Sequence, residues 1–188
     1  TYLSLVARFR RRTGRTTWVS AHLPALKQVA RAIVRLMDRD GLTFARADHR
    51  VKYLMDNCEA YRGLEDFAQA LDLLGDGEAA YFRLWAQEIA RGVEKSLWDR
   101  RRGCYRPAKA AWFARRANLR RFYPDAACQL YPALYGLIGA DSPRAARLYA
   151  RFNRYQPGWV SLKPPNHPWV LLAYCACLHG DYGRALEK

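Results

Sequence analysis

The feature that most constrains this chain is the alternation of short and long connections between helical segments. Apolar residues recur at helical spacing from Leu23 onward. They predict helices over about 23–37, 53–74, 78–97, 125–138, 143–155 and 168–178, and a seventh helix that begins near Tyr182. Short runs suited to strands lie at 42–44, 104–105 and 159–161. We therefore predict an all-α chain of about three helical hairpins, with short β excursions in its long loops.

Three of the connections are tight, and each offers a glycine for the left-handed conformation that often ends a helix: Gly75, Gly139 and Gly180. The other three run over about 38–52, 99–123 and 156–167. Antiparallel helices joined alternately by long and short turns place every long loop at one end of the assembly. Long loops in a compact helical protein are usually functional, so this end is where we expect the site.

Three of the predicted helices begin at that end with polar and aromatic residues. Asp56 and Glu59 are three residues apart, and Asp125 and Gln129 are four apart, so each pair can share one helix face. The further candidates near these helix starts and in the loops between them are Tyr53, Asn57, Tyr123, Trp159, His167 and Trp169. Carboxylates, amides and aromatic rings together suit a carbohydrate, and a carboxyl pair suits general acid/base hydrolysis.

Each of these residues also has a purely structural interpretation. Asp125 follows Pro124 and is a natural acid for the first turn of a helix. Asp56 and Glu59 can simply complement the helix dipole, and His167 can belong to a capping turn. The sequence leaves both interpretations open, and the shared location of the three helix starts is what favours a site.

The chain of 188 residues carries a formal net charge of +15, and arginine supplies most of it, with 26 Arg against 6 Lys. Arginine suits carboxylates and phosphates, so an anionic ligand is one expectation. The other is that arginine occupies solvated helix faces. The charge is scattered in short runs rather than gathered in one arm, which makes nucleic acid the less favoured partner. Several runs fall in the second long loop, where Arg106 is a candidate contact for an acidic sugar.

The five cysteines form no C-x-x-C pair and have no histidine at zinc-ligand spacing, so the sequence predicts neither a metal site nor a cofactor. Unpaired thiols among apolar residues favour a reducing, cytoplasmic compartment. No segment approaches the length of a membrane span. The length fits one domain over 1–188, although the chain opens in the middle of a pattern.

Several segments carry a resemblance to a known family. They are Asp40-Gly41-Leu42, the stretch 53–64, Leu97-Trp98-Asp99 with Gly103 and Tyr105, Tyr123-Pro124-Asp125 with Gln129 and Pro132, and Pro168-Trp169 ahead of Gly180-Asp181. With these the chain resembles the six-hairpin glycosidase-like superfamily, whose members form (α/α)6 toroids. A full toroid has twelve helices, so the resemblance implies a partial toroid, the C-terminal half of a larger domain.

The resemblance also implies a function. Members of that superfamily act mostly on polysaccharides or oligosaccharides, including uronic-acid-containing ones, with Asp or Glu as acid and base. It implies that Asp56, then Glu59 and Asp125, are the catalytic candidates, and that the other candidates line subsites for a bacterial glycan. The alternative function is a non-enzymatic α-helical scaffold that binds an anionic partner, whether phosphate, nucleic acid or glycan.

Overall fold

The computed structural model describes residues 1–111, 113–162 and 169–188, with the backbone alone at position 169. Across these ranges the fold is mainly α-helical with short antiparallel strands, which confirms the predicted class. The α-helices are α1 (Tyr2–Thr13), α2 (Thr16–Ala21), α3 (Leu23–Arg35), α4 (Leu54–Asp72), α5 (Ala79–Ser96), α6 (Tyr131–Leu134), α7 (Pro143–Tyr155), α8 (Trp169–Leu178) and α9 (Tyr182–Glu187). The sequence predicts all of them except α1 and α2, and it makes α6 too long.

The predicted helix over 125–138 is wrong as a single element. A π-helical turn (Phe122–Ala126) and a 3-10 turn (Ala127–Leu130) precede α6, which ends at Leu134. Pro132 lies in the first turn of α6 and has no N–H to continue a hydrogen-bond ladder from the preceding residues. The left-handed glycine after α6 is consequently Gly136 (φ +72°) instead of Gly139.

The described part of the first two long loops contains five short strands: β1 (Val51–Tyr53), β2 (Trp98–Asp99), β3 (Cys104–Tyr105), β4 (Ala108–Ala110) and β5 (Phe113–Arg115). They form a three-stranded sheet in the order β1-β4-β5 and a two-stranded β2-β3 hairpin. The strand predicted at 104–105 is confirmed, whereas 42–44 contributes a single bridge from Thr43 to Met37. The strand predicted at 159–161 is wrong, because local bonds such as Ser161 N–H to Gly158 C=O, 3.1 Å, close a 3-10 turn.

Backbone pairing brings the long loops together at one end of the helices. Tyr53, directly before α4, pairs with Ala108 of the second long loop. The third long connection joins them where the Gln156 side chain donates to the Leu119 carbonyl at 2.7 Å. The expectation that the long loops share one end is therefore met by the described part of each loop.

The helices bury two apolar clusters. The larger lies among α1, α3, α4 and α5, where the rings of Phe67 and Phe82 meet edge to face at 5.2 Å across the α4–α5 hairpin. The smaller joins α7 and α8 around Phe152 and Trp159. This packing fixes the direction of α4, whose first turn faces the long loops.

Candidate functional site

Asp56 and Glu59 lie on the first two turns of α4, beside a cleft of about 250 Å³. Thr43, Phe44 and Ala45 from the first long loop line its other side. Asp56 is exposed and Glu59 is half-buried. The structure therefore brings the two leading carboxylate candidates together at one opening, on the side of the molecule where the long loops meet.

The surroundings of Asp56 favour its protonated form. Partial loss of hydration raises the pKa of this carboxyl, and the negative charge of Glu59 raises it further. A hydrogen bond from the Asp56 backbone N–H and, to a smaller extent, the charge of His49 lower the pKa of this carboxyl, and both are weaker influences. Among the described residues, no side chain hydrogen bonds to the Asp56 carboxyl, which leaves it available to a ligand.

Glu59, in contrast, is held in place by its neighbours. The Thr1 hydroxyl donates to one of its oxygens at 3.0 Å, and the Tyr135 phenol lies near enough for the charge of Glu59 to act on it. Tyr135 stacks on Tyr131 with their ring centroids 5.4 Å apart. Desolvation followed by the charge of Glu59 raises the pKa of both phenols, so these tyrosines remain neutral donors.

Two candidate aromatic residues lie close to the acid pair. The Tyr53 hydroxyl is 3.1 Å from Nε2 of His49, and the two rings stack at 6.0 Å. Tyr123 is 54% exposed, and after desolvation the charge of Asp56 is the largest influence that raises its pKa. The structure thus places Tyr53 and Tyr123 around Asp56, where both rings can contact a ligand.

Asn57 is fully buried, directly behind the acid pair. Its Oδ1 accepts from the Thr43 backbone N–H at 2.8 Å, and its Nδ2 donates to the Thr43 carbonyl at 3.2 Å and to the Tyr53 carbonyl at 2.8 Å. All of these partners belong to the protein's own backbone. Asn57 therefore fixes the first long loop against α4 instead of facing the cleft.

Gln129 makes the same type of contact in the second long loop. Its Oε1 accepts from the Tyr105 N–H at 2.7 Å, and its Nε2 donates to the Tyr105 carbonyl at 2.8 Å and to the Asp125 carbonyl at 3.0 Å. Gln129 is 2% exposed. Its amide groups are used to hold Tyr105 and cannot at the same time bind a ligand.

Asp125 is also fully buried. Its carboxylate accepts from the Arg115 guanidinium at 2.8 Å and from the Asn118 backbone N–H at 2.8 Å. A carboxylate enclosed by these donors fastens the loop that follows β5. The structure does not bring Asp125 to the cleft beside Asp56.

The remaining aromatic and imidazole candidates lie elsewhere. Trp159 is buried in the smaller apolar cluster, and its indole N–H donates to Asn153 Oδ1 at 2.9 Å. Its ring supports the third long loop from inside. His167 lies outside the described residues, and for Trp169 only the backbone at the start of α8 is described.

Arg106 lies in a second and larger cleft, of about 1000 Å³, beside the end of α5 and the β2–β3 hairpin. Its guanidinium pairs with Asp99 at 3.3 Å. Among the described residues, seven cationic side chains line this cleft, including Arg100, Arg101, Arg102 and Arg116. We call it the arginine cleft.

Sequence reasoning missed a buried lysine that organises the first long loop. Lys52 is 1% exposed, and its ammonium group contacts Asp38 at 2.6 Å and Asp40 at 2.7 Å. The pKa of Asp38 is lowered mainly by this hydrogen bond. Desolvation works to raise the pKa of Asp40, but its bonds to Lys109 and Lys52 outweigh that effect and lower it. The clustering of Asp38, Asp40 and Lys52 around Gly41 is the sequence signal that could have revealed this network.

Phe44 is a second missed residue, and it lines the cleft next to the acid pair. The Lys52 ammonium lies 4.8 Å from the centre of its ring, which fixes the ring beside the lysine network. The short apolar run at 42–44 is the only sign of it in the sequence.

The chemistry of the described residues is that of carboxylates, phenols and guanidinium groups. Across residues 1–111, 113–162 and 169–188, no cluster of His, Cys, Asp and Glu is arranged to hold a metal ion. All five cysteines are free thiols, and Cys177 alone of the five is exposed. In the same part of the chain, no helix has the length and apolar character needed to cross a membrane.

No protein-family model and no curated protein matches the sequence. Among solved structures, the chain is similar to a GH78 family rhamnosidase of Bacillus sp. GL1, with a TM-score of 0.71 and 17% sequence identity. The match covers 99% of this chain and 20% of that chain, so the chain spans about a fifth of the rhamnosidase's length. What the two proteins share at this identity is the fold.

Proposed function

We propose that the chain is part of a glycosidase-like, carbohydrate-active protein that hydrolyses a bacterial polysaccharide or oligosaccharide, either neutral or acidic. The observation that carries the proposal is the Asp56–Glu59 pair at an open cleft, with the pKa of Asp56 raised by desolvation and by Glu59. The fold shared with a GH78 family rhamnosidase supports the proposal.

In the proposed reaction Asp56 is the general acid. Its proton goes to the glycosidic oxygen as the bond from that oxygen to the anomeric carbon breaks. Glu59 takes a proton from the water that adds to the anomeric carbon. The hydrogen bond from the Thr1 hydroxyl to Glu59 holds its carboxylate in place for this step.

The other candidates divide into ligand contacts and supports. Tyr53 and Tyr123 offer aromatic rings against which the C–H faces of a sugar can pack, and His167 and Trp169 stay proposed subsite residues. Asn57, Asp125, Gln129 and Trp159 are buried and bonded internally, so we assign them to positioning the loops around the cleft. Arg106 belongs to the arginine cleft.

The chain spans about a fifth of the rhamnosidase it matches. We propose that residues 1–188 form one unit within a larger (α/α)6 toroid, as its C-terminal half. The activity and the substrate are therefore proposals for the whole protein in which this unit occurs.

The test is to incubate the protein with a panel of neutral and uronic-acid glycans and to measure hydrolysis by the release of reducing ends. We expect Asp56→Asn and Glu59→Gln each to slow cleavage by about 100-fold or more, since each removes one acid/base group. Glu65→Gln is the matched control, a carboxylate farther along α4, and should cleave at the wild-type rate. The proposal fails if the wild-type protein cleaves no glycan, or if Asp56→Asn cleaves at the same rate as wild type.

A second candidate function is a non-enzymatic scaffold for an anionic partner, and the observation that favours it is the arginine cleft. It predicts affinity for phosphate-rich ligands that falls steeply with added salt. Binding that is insensitive to salt, or absent, would exclude it.

A further inference from the structure

The arginine cleft holds more positive charge than its own carboxylates can neutralise. Five of its seven cations have no carboxylate partner within 4.0 Å among the described residues: Arg102, which bonds to the Ala117 carbonyl, and the free cations Lys95, Arg100, Arg101 and Arg116. The two carboxylates that line it already have partners, since Asp99 pairs with Arg106 and Glu94 pairs with Arg144 outside the cleft. Like charges held together in a concave surface concentrate a positive potential there and attract an anion.

The walls of the cleft are held in place by contacts that do not use these free cations. The Arg144 guanidinium lies 4.4 Å from the centre of the Trp98 ring, and Tyr105 packs against the same indole at 4.7 Å. Arg102 donates to the Ala117 carbonyl at 3.3 Å. The walls of the cleft are therefore fixed, while several of its cations have no carboxylate partner in the described part of the chain. Its volume of about 1000 Å³ exceeds what a single small anion fills.

The cleft and the acid pair are connected through one loop. The Leu54 N–H, at the first residue of α4, donates to the carbonyl of Pro107 at 3.0 Å, and Pro107 directly follows Arg106. Two residues after Leu54 comes Asp56. The cations and the proposed catalytic carboxylates therefore lie on the same end of the molecule, with a direct backbone bond between the segments that carry them.

We propose that the arginine cleft is a subsite for the carboxylate groups of a uronic-acid-bearing glycan. This inference rests on the proposed function and deepens it by naming the substrate class. The acid pair repels an anionic sugar residue, whereas the cleft attracts it. A mixed chain would accordingly bind with its uronate residues at the arginines and a neutral residue at Asp56.

Two features favour a uronic-acid glycan over nucleic acid. Glu94 and Asp99 line the cleft, where their oxygens can accept hydrogen bonds from sugar hydroxyls but would repel a backbone with a phosphate at every nucleotide. Proteins that bind single strands also offer a series of stacking rings. Among the described residues that line this cleft, Trp98 is the one aromatic side chain, and Arg144 and Tyr105 cover it.

The test measures binding by calorimetry in an Asp56→Asn background, so that a bound glycan stays intact. The probes are an oligosaccharide in which galacturonic acid alternates with a neutral sugar, the same oligosaccharide after reduction of its carboxyl groups, and an oligothymidylate of equal charge. The cleft variant is Arg100→Gln/Arg101→Gln. The matched control is Arg12→Gln/Arg15→Gln, which removes the same charge from exposed arginines near the far end of α1.

We expect the acidic oligosaccharide to lose about tenfold or more in affinity in the cleft variant and to be unaffected in the control. The reduced oligosaccharide should bind both variants equally. The inference is overturned if the cleft variant binds the acidic probe as tightly as the control, or if oligothymidylate binds more tightly through the same arginines. If the reduced probe binds and the acidic probe gains nothing, this inference alone fails. If neither glycan binds, the proposed function fails with it.

Discussion

The side-chain amide of Asn57 pairs with both the N–H and the carbonyl of Thr43, as one strand pairs with another. Gln129 forms the same two-way contact with Tyr105. In each case a buried amide near the start of a helical segment holds a residue of a long loop. The two loops that surround the candidate site are therefore held by the same type of contact, in which a buried side-chain amide bonds to the N–H and the carbonyl of one loop residue.

Replacing Asn57 tests this type of contact. Asn57→Leu keeps a similar volume but leaves the polar backbone groups of Thr43 and the Tyr53 carbonyl buried without these bonds. We expect the free energy of unfolding to fall by about 3 kcal/mol, measured by urea denaturation. Gln87→Ala, which removes an exposed amide from α5, should change it by less than about 0.5 kcal/mol. Equal denaturation midpoints for Asn57→Leu and wild type would show that the pairing contributes little.

The positions of the central helices follow from local sequence signals. The ends of α3, α4 and α5 lie within about two residues of their predicted ends, because each has a regular apolar stripe. Gly75, between α4 and α5, adopts the left-handed conformation expected of it, at φ +69°. The residues that decide these elements are neighbours along the chain.

The partners of the buried polar groups could not be predicted in the same way. Asn57 and Gln129 resemble site residues in the sequence, because a polar residue at a helix start suits a ligand as well as a loop. Their partners, Thr43 and Tyr105, lie 14 and 24 residues away in long loops. These amides bond to the protein's own loops because of how the loops fold, which the sequence does not reveal. The proximity of Asp56 and Glu59, in contrast, follows from their spacing along one helix.

The packing of the first long loop on α5 gives a test with glycines. A Cβ at Gly41, whose φ is +79°, would lie 2.5 Å from the Glu88 carbonyl oxygen, and a Cβ at Gly92 would lie 2.6 Å from the Asp40 carbonyl oxygen. We expect Gly41→Ala to lower the free energy of unfolding by about 3 kcal/mol, through strain and a clash with backbone.

Gly92→Ala should also destabilise, even though alanine is the better helix former by about 1 kcal/mol. Gly77→Ala is the control, because a Cβ there meets nothing within 4 Å. Thermal denaturation of the three variants measures their order of stability, and we expect Gly77→Ala to be the most stable. A stabilised Gly92→Ala would show that the loop does not approach α5 so closely.

The lysine network predicts how stability depends on pH. Asp38 and Asp40 have lowered pKa values in the folded chain. Their contribution to the free energy of unfolding is therefore fully present above the pKa values that these carboxyls have in the unfolded chain. It is lost as the pH falls through the folded values. Lys52→Met removes the shared partner and should lower the free energy of unfolding by about 2 kcal/mol at neutral pH.

Between neutral and acidic pH, Lys52→Met should lose less stability than wild type. Without Lys52, the pKa values of Asp38 and Asp40 in the folded chain lie closer to their values in the unfolded chain. Melting temperatures recorded across this range measure both effects. Lys95→Met, which removes an exposed ammonium, should follow the wild-type curve. Parallel curves for Lys52→Met and wild type would contradict the assignment of the pH dependence to this network.

The acid pair makes the last prediction, because desolvation and the charge of Glu59 act on Asp56 in the same direction. Glu59→Gln removes the charge and should lower the pKa of Asp56, measured by carbon NMR titration of its carboxyl. Glu65→Gln, farther along α4, should leave the titration unchanged.

The sign for stability follows from the raised pKa. The folded chain binds a proton at Asp56 that the unfolded chain has released, so this group favours folding less as the pH rises through the two values. Asp56→Asn should remove that part of the pH dependence. An Asp56 pKa that is unchanged or higher in Glu59→Gln would mean that the two carboxyls do not interact, and the proposed acid would lose its charge partner.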